Sequence, residues 1–380
     1  MDSQSVPVDF ALIGHQESWP QISRLVQSLR NDSKPRLSEA DIRDIVPWIP
    51  PRTVMRISIA SHPSGDKVRG IYVESFITPD ELGRRHFKRN MDKISDSIRC
   101  AAREGAAVAT LGGFASIVLE SRMGGSVPIL HGIPLTTGNT LTASLIVQGV
   151  VDAAAQVDVN LADSKLLIIG STGDIGSACV RYLEPRVRTL MLNARGRPKL
   201  QAQLDECSAS GISAVADTKP ENLLPDADIV ICAASMVAPT IDPSRCKPGA
   251  LICDAGYPKN VRVSNTQSQI VFWGGLGQSL GGWDVESGVL DAFYQFPGHH
   301  VGHGCLLEAI VLAMEKRYEA YSCGRGNIMP DHIDEITAMA NRHGIVRAPF
   351  MNHEGLWPDA HRDNRDPIEH SPIERSRERQ

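Results

Sequence analysis

The stretch LLIIGSTGDIGSACVRYL, residues 166–183, decides the fold. Its first four residues, Leu166 to Ile169, read as a buried strand, and the remainder of the stretch carries the periodicity of a helix. Between them lie Gly170, Gly173 and Gly176. A strand that turns through glycine into a helix leaves backbone amides and the positive end of the helix dipole open to an anion. The residues of this turn, Gly170, Ser171, Thr172, Gly173, Asp174, Ile175 and Gly176, are therefore candidates to cradle the pyrophosphate of a dinucleotide. Three glycines alone say little, but a second strand, TLMLNAR, arrives where such a unit needs it.

The same rhythm continues outward. ISAVA, DIVICAAS, ALICDAG and IVFWGG are short strands rich in Ile, Val and Leu, the pattern of a parallel sheet covered on both faces. Residues 151–275 are therefore expected to form a Rossmann-like domain. Ser235 and Met236 of CAASM, with Gly256 and Tyr257 of DAGYP, fall at the carboxyl ends of strands, where open α/β sheets bind ligands. The second strand ends in Asn193, Ala194 and Arg195, followed by Arg197 and Lys199. A carboxylate there would accept from a ribose 2′-hydroxyl, whereas arginine suits a 2′-phosphate, so NADPH is favoured, with Arg195 best placed. A solvated basic loop is the plainer reading of the same residues.

Residues 1–150 predict an N-terminal α/β domain on the substrate side. FALIGH, VMRISIAS and GIYVESF read as strands, and TPDELGRRHFKRNMDKISDSIRCAAREG as a helix starting at Thr78 and closed by Gly105. VATLGGFASIVLE reads as a further strand, and TTGNTLTASLIVQGVVDAAAQV as a helix leading into the next domain. Residues 276–350 read as a mainly helical region, and the polar, proline-broken residues 351–380 as a disordered tail. The expected class is α/β: a central Rossmann-like parallel-sheet domain between these two flanks.

Composition bounds the function. The 380 residues, 42% hydrophobic and 22% charged, suit a globular chain with more than one core, which excludes general disorder. A formal charge of -5 argues against nucleic-acid binding. No run of about 18 apolar residues occurs and the first residues lack a basic leader, so a cytoplasmic protein without membrane spans is expected. The eight cysteines are scattered, without a CxxC pair, as reduced thiols would be.

One of them stands apart. In FPGHHVGHGCLLEAIVLAMEKRYEAYS, Cys305 lies between a glycine- and histidine-rich loop and the first turn of a helix with an apolar stripe of Leu306, Leu307, Ile310, Val311 and Met314. At that place a thiol with a free pKa of about 8.5 is expected to shift toward thiolate. His303 is the candidate to hold that thiolate or relay a proton. A metal held by His299, His300, His303 and Cys305 is a rival reading that the glycines and proline disfavour, and a plain polar loop is another.

LGGFASIVLE (111–120), TTGNTLTA (136–143), GSTGDIGSACVRYL (170–183), DAGYPKN (254–260) and GCLLEAIVLAMEKRYEAYSCGRGNI (304–328) resemble, in order and spacing, the cyanobacterial-type long-chain acyl-[acyl-carrier-protein] reductases. The resemblance spans roughly residues 10–345. It implies NADPH in the central domain and an acyl-enzyme thioester on the matching cysteine, Cys305, which hydride transfer releases as a fatty aldehyde. It further implies an acyl carrier protein as donor and an aldehyde-consuming enzyme alongside. Ser116, Thr136, Thr137 and Asn139 are candidates to line the acyl site, with helix capping as the structural alternative. Arg84, Arg85, Lys88 and Arg89 are candidates to steer the acidic carrier. The histidine-rich approach GHHVGHG and the polar tail depart from the family pattern. A shikimate-dehydrogenase-like oxidoreductase without covalent catalysis and a nucleotide-sensing protein without turnover are the competing functions.

Overall fold

The structure, a computed structural model, describes residues 7–30, 35–78, 86–113, 115–116, 119, 127–236, 238–263, 268–286, 289–290 and 294–357. The chain opens with β1 (Phe10–Gly14), α1 (Trp19–Leu29), α2 (Glu39–Ile45), β2 (Arg52–Ala60), β3 (Lys67–Glu74), α3 (Phe87–Arg103), β4 (Val108–Leu111), β5 (Ile129–Leu130) and β6 (Ile133–Thr136). Every residue of β1 is buried because it runs parallel between β3 and β4 with apolar layers on both faces. On one face Ile94, Ile98 and Ala101 of α3 recur at helical spacing against Ala11, Ile13, Ile71 and Val73. On the other, Ile22 and Leu25 of α1 and Ile42 of α2 pack on Phe10 and Leu12. The charged first turn of α2 is fixed by a capping box between Ser38 and Asp41.

Helix α4 (Asn139–Gln156) joins this body to the next and is buried on nearly every side. Its Leu141 and Leu145 belong to the core of the first sheet, and its Ala143, Ile146, Val147 and Val150 to that of the second. The second body runs β7 (Lys165–Ile169), α5 (Asp174–Leu183), β8 (Thr189–Asn193), α6 (Arg197–Ala209), β9 (Ala214–Asp217), β10 (Ile229–Cys232), β11 (Leu251–Asp254) and β12 (Ile270–Trp273). All six strands are parallel, in the order β12-β11-β10-β7-β8-β9. The order reverses between β7 and β10, which opens a crevice beyond their carboxyl ends, next to Gly170.

The chain then forms β13 (Leu276–Ser279), β14 (Trp283–Val285), β15 (Val301–His303), α7 (Gly304–Met314), α8 (Pro330–Arg342), β16 (Ile345–Arg347), β17 (Met351–Asn352) and β18 (Gly355–Leu356). β14 returns to the first sheet as an antiparallel edge on β2, completing the order β14-β2-β3-β1-β4-β6-β5. β13 pairs antiparallel with β15 and β16. None of the described helices is long and apolar enough to cross a membrane.

Two local expectations differ, and a third falls partly outside the described residues. LGGF does not continue as a strand: β4 stops at Leu111, and Ala115 and Ser116 are helical. The helix expected from Thr78 is described from Phe87, with 79–85 outside the described residues. Residues 351–357, read from composition as tail, form the β17–β18 hairpin, and the Trp357 indole N–H donates to the Val271 carbonyl at 3.2 Å. The remainder of that tail, 358–380, lies outside the described residues.

Candidate active site

Small residues let three chain segments meet at the start of α7. Gly138, the residue before α4, has φ of +69°, and a Cβ there would fall 2.1 Å from the Cys305 carbonyl oxygen. A Cβ on Gly304 would come within 2.8 Å of the Thr142 Cα, and one on Gly112 within 3.0 Å of Leu306 Cδ2. The Thr110 hydroxyl donates to the Cys305 carbonyl at 2.5 Å. One turn along α7, Glu308 is 0% exposed and accepts hydrogen bonds from the Thr136 hydroxyl, the Leu141 amide at 3.0 Å and the Ser322 hydroxyl at 2.8 Å. It thus satisfies an amide in the first turn of α4 that no residue of that helix can. Burial pushes its carboxyl up, against those donors.

Cys305 is the second residue of α7, and its sulfur accepts a hydrogen bond from the Gly113 amide. The sequence leads one to expect a thiolate. Burial instead pushes the thiol up, because desolvation outweighs the amides of Gly113, Leu306 and Cys305 itself, and the nearby Glu308 adds to the rise. Cys305 therefore rests as a thiol.

Beside it lies a cavity of about 370 Å³. Its walls are apolar: Leu12, Met55, Ile57 and Ile59 from the sheet, Trp283 and Val285 from β14, and Leu306, Leu307 and Ile310 from α7. Its polar end holds His15, Gln16, Tyr72, Tyr257, Lys259 and His303. Tyr257, carried by the loop after β11, spans the two bodies, with its ring edge-on to His303 at 5.0 Å and to His15 at 5.8 Å. A Cβ at Gly113 would touch both His15 and Tyr257 at 3.1 Å. The Asp254 carboxylate fixes this loop by accepting from the amides of Gly256, Asn260 and Val261 at 2.9–3.1 Å.

His303 faces this cavity and not bulk water, and burial lowers it to about 3, so it is neutral at physiological pH and forms no ion pair with a thiolate. The histidines of the loop diverge. The His303 ring meets Tyr257 and Phe296, while that of His300 sits on Trp283 at 5.2 Å. Among the described residues, no group of three or more His, Cys, Asp or Glu side chains converges as a metal site would.

The crevice of the second sheet fits a dinucleotide. Gly170 has φ of +86°, and a Cβ there would lie 2.8 Å from the Ala233 carbonyl oxygen. A Cβ on Gly176 would strike the Gly170 carbonyl oxygen at 2.1 Å, and one on the exposed Gly173 would crowd the same oxygen at 3.1 Å. Ser171 is fully buried, and its hydroxyl has no protein partner among the described residues. Thr172 and Ile175 are half-buried around the same turn, and Ser235 and Met236 stand partly exposed beyond β10. Arg195 is exposed just past β8, as are Arg197 and Lys199. The side chain of Asn193 is taken up by the Asp217 carbonyl at 2.8 Å, so no acidic group at the end of β8 competes with these cations.

Other expected contacts are occupied elsewhere. The Asp174 carboxylate accepts from the Asn139 side chain and the Gly326 amide, each at 2.8 Å, tying the glycine turn to the TTGN and CGRGN segments. The Ser116 hydroxyl donates to the Gly113 carbonyl at 3.1 Å, Thr136 donates to Glu308, and the Thr137 amide donates to Ser322 at 2.9 Å. These four position the loops around Cys305, and none of them lines the cavity. Gly256 lies buried beneath Asn260. Sequence reading passed over His15, Tyr72 and Glu74, which reach the site from β1 and β3. The one available signal was Gly14: a Cβ there would sit 2.2 Å from the Tyr72 hydroxyl.

Comparison with known proteins adds the following. Over 348 residues the chain is 30% identical to the long-chain acyl-[acyl-carrier-protein] reductase of Synechococcus elongatus, covering 88% of this chain and 98% of that one. It is 27% identical over 274 residues to the aminotransferase PigE of a Serratia strain, spanning 69% of this chain but 30% of that longer protein. Residues 152–272 match the family Shikimate / quinate 5-dehydrogenase. Among solved structures, the A chain of dipicolinate synthase from Bacillus subtilis overlaps 70% of this chain and 88% of its own, at 13% identity and a TM-score of 0.34.

Proposed function

The chain belongs to the family of long-chain acyl-[acyl-carrier-protein] reductases and is an NADPH-dependent oxidoreductase, and on that premise we propose that it reduces an acyl thioester to an aldehyde through an enzyme thioester on Cys305. The observation that supports this most is the setting of Cys305. Its sulfur takes the Gly113 amide at the first turn of α7, beside the apolar cavity whose polar end includes Tyr257 from the loop after β11.

In this reading the sulfur attacks the incoming carbonyl, and the thiol proton leaves with the carrier's sulfur. The acyl chain lies along Leu12, Ile57, Ile59, Leu307 and Ile310, away from water. The amides of Gly113 and Leu306, which meet the sulfur, are the donors assigned to the charge that builds on the carbonyl oxygen. His15 and His303, both held neutral by burial, close the polar end without adding a cation that would trap the thiolate. The Gly170–Gly176 turn would hold NADPH and Arg195 would meet its 2′-phosphate, and the bound cofactor would supply hydride. The donor is an acyl carrier protein, for which exposed Lys88 and Arg89 of α3 offer positive charge; Arg84 and Arg85 lie outside the described residues. An aldehyde-consuming enzyme would follow.

Intact-mass measurement after incubation with acyl carrier protein loaded with a long acyl chain, without NADPH, tests the reading. It expects one acyl adduct, mapped to Cys305 and discharged as aldehyde when NADPH is added. Aldehyde formation without any adduct would overturn it. Arg195→Asp tests the cofactor assignment. Losing a charge-assisted contact of about 1.5–3 kcal/mol predicts roughly 10- to 100-fold weaker NADPH binding with NADH binding spared. Equal losses for both cofactors would remove Arg195 from the 2′-phosphate.

A further inference from the structure

Building on the thioester reading above, we propose that the Tyr72 hydroxyl, backed by the buried Glu74 carboxyl, is the proton donor of the reductive half-reaction. That half-reaction consumes one hydride and one proton. The hydride from the reduced dinucleotide forms the new C–H bond at the acyl carbon. The C–S bond then breaks with its electron pair on the Cys305 sulfur, and a proton must reach that sulfur to restore the resting thiol. Tyr72 supplies it, Glu74 reprotonates Tyr72, and solvent reloads Glu74.

The geometry brings these groups together. Tyr72 lines the polar end of the cavity, and its hydroxyl occupies the space that a side chain on Gly14 would fill, 2.2 Å from the place of the missing Cβ. A Cβ on Gly112 would lie 3.9 Å from the Gly14 Cα and 3.0 Å from Leu306, and the next residue, Gly113, donates its amide to the Cys305 sulfur. The hydroxyl and the sulfur thus flank the same glycine pair. A charge on Cys305 raises the cost of ionising Tyr72, which places the two within electrostatic reach.

Behind Tyr72, Glu74 is 1% exposed. It accepts from the Gln16 side chain at 2.8 Å, from the Phe76 amide at 3.0 Å and from Tyr72. Burial pushes the Glu74 carboxyl up to about 7, against the pull of these donors and of Lys93. The protonation state of Glu74 sets the direction of the pair. Ionised, Glu74 draws the Tyr72 proton onto itself; protonated, it donates to the Tyr72 oxygen and leaves the tyrosine proton free for the cavity. A reload route exists on the far side. Lys93 of α3 is buried, donates to the Phe76 carbonyl at 2.5 Å, and is lowered by burial to about 8, so it too exchanges a proton near neutrality. The titratable or charged groups around Glu74 and its neighbours are Tyr72 on its own strand, Arg52 paired opposite Glu74 on β2, Lys93 and Arg89 on α3, Tyr257 on the loop after β11 with Glu17 facing it, and Cys305 on α7.

The test isolates this half-reaction. Protein pre-loaded as the acyl-enzyme is mixed with NADPH in a single turnover, and loss of the adduct is followed between about pH 5.5 and 9. A donor that must be protonated works below its pKa, so the wild-type rate should fall about tenfold per pH unit above about 7. Glu74→Gln keeps the shape and the acceptor for Phe76, and should erase that inflection. Tyr72→Phe should slow discharge by roughly 10²- to 10⁴-fold while acylation of Cys305 and NADPH affinity stay intact. Wild-type discharge by Tyr72→Phe, or an unchanged inflection in Glu74→Gln, would overturn the assignment. If Tyr72→Phe misfolds, the Glu74→Gln profile decides alone. A wild-type protein that forms no adduct would bring down the thioester reading itself, a distinct outcome.

Discussion

Cys305→Ala is expected to lower aldehyde formation by roughly 10³-fold or more and to remove the acyl adduct, with NADPH affinity changed by no more than about twofold. The size of the effect follows from where the other seven sulfurs lie: none of them, the half-buried Cys100 and Cys323 included, lines the cavity. Cys179, Cys207, Cys232, Cys246 and Cys253 are buried in the layers around the second sheet. Burial pushes each of these five thiols up, Cys246 to about 11 and Cys179 to about 12, and the same burial keeps an acyl thioester from reaching them. Coupled measurement of aldehyde and of bound acyl mass on the same preparation checks this. Near-wild-type aldehyde production by the alanine variant would place this chain with the non-covalent dehydrogenases.

The second large effect comes from a residue without a side chain. Gly138→Ala forces an L-residue into a left-handed conformation, at a cost of about 1–2 kcal/mol, and drives its Cβ into the Cys305 carbonyl at 2.1 Å. Backbone lies on both sides of that contact, so the first turn of α7 has to move, and a nucleophile displaced by about 1 Å forfeits about 10²-fold in rate. The expected result is a fall in kcat/KM of about that size, a lower Tm and unaltered NADPH binding. Gly132→Ala is the matched control. Its φ is +83°, but nothing lies within 4 Å of the added carbon, so only the strain remains and turnover should persist. Equal activity of the two variants would show that the contact between Gly138 and Cys305 does not set the position of the sulfur.

The central sheet was legible because each of its strands is a short apolar run and the glycine turn has a single structural use at the end of the first. β13 and β15 were not, since glycine occupies the middle of both. A Cβ on Gly277 would meet Leu307 at 2.6 Å and one on Gly302 at 3.3 Å, so these strands are thinned to admit the helix that carries Cys305. Pattern reading treats such residues as turns. Glu308 misleads in the opposite direction. A carboxylate on a helix suggests a wet face, yet Thr136, the Leu141 amide and Ser322 converge on it from distant parts of the chain. The position of Cys305 could be read from local sequence, whereas its protonation state could not, because desolvation depends on the residues that surround it in three dimensions. Tyr72 and Glu74 were missed for a related reason. Each is an ordinary strand residue until pairing sets Gly14 beside Glu74 and clears space for the phenol.

Helix α4 divides its buried residues between the two cores, Leu141 and Leu145 going to the first and a longer run from Ala143 to Ala154 to the second. A rod embedded in two cores is a poor hinge. Swinging the bodies apart would strip Leu141 and Leu145 from one set of neighbours, or Ile146 and Val150 from the other, and wet several large aliphatic side chains at about 1.5–3 kcal/mol each. Traffic to the sulfur therefore passes through motion of surface segments over a rigid frame, and the spacing between the crevice and Cys305 is built in when the chain folds.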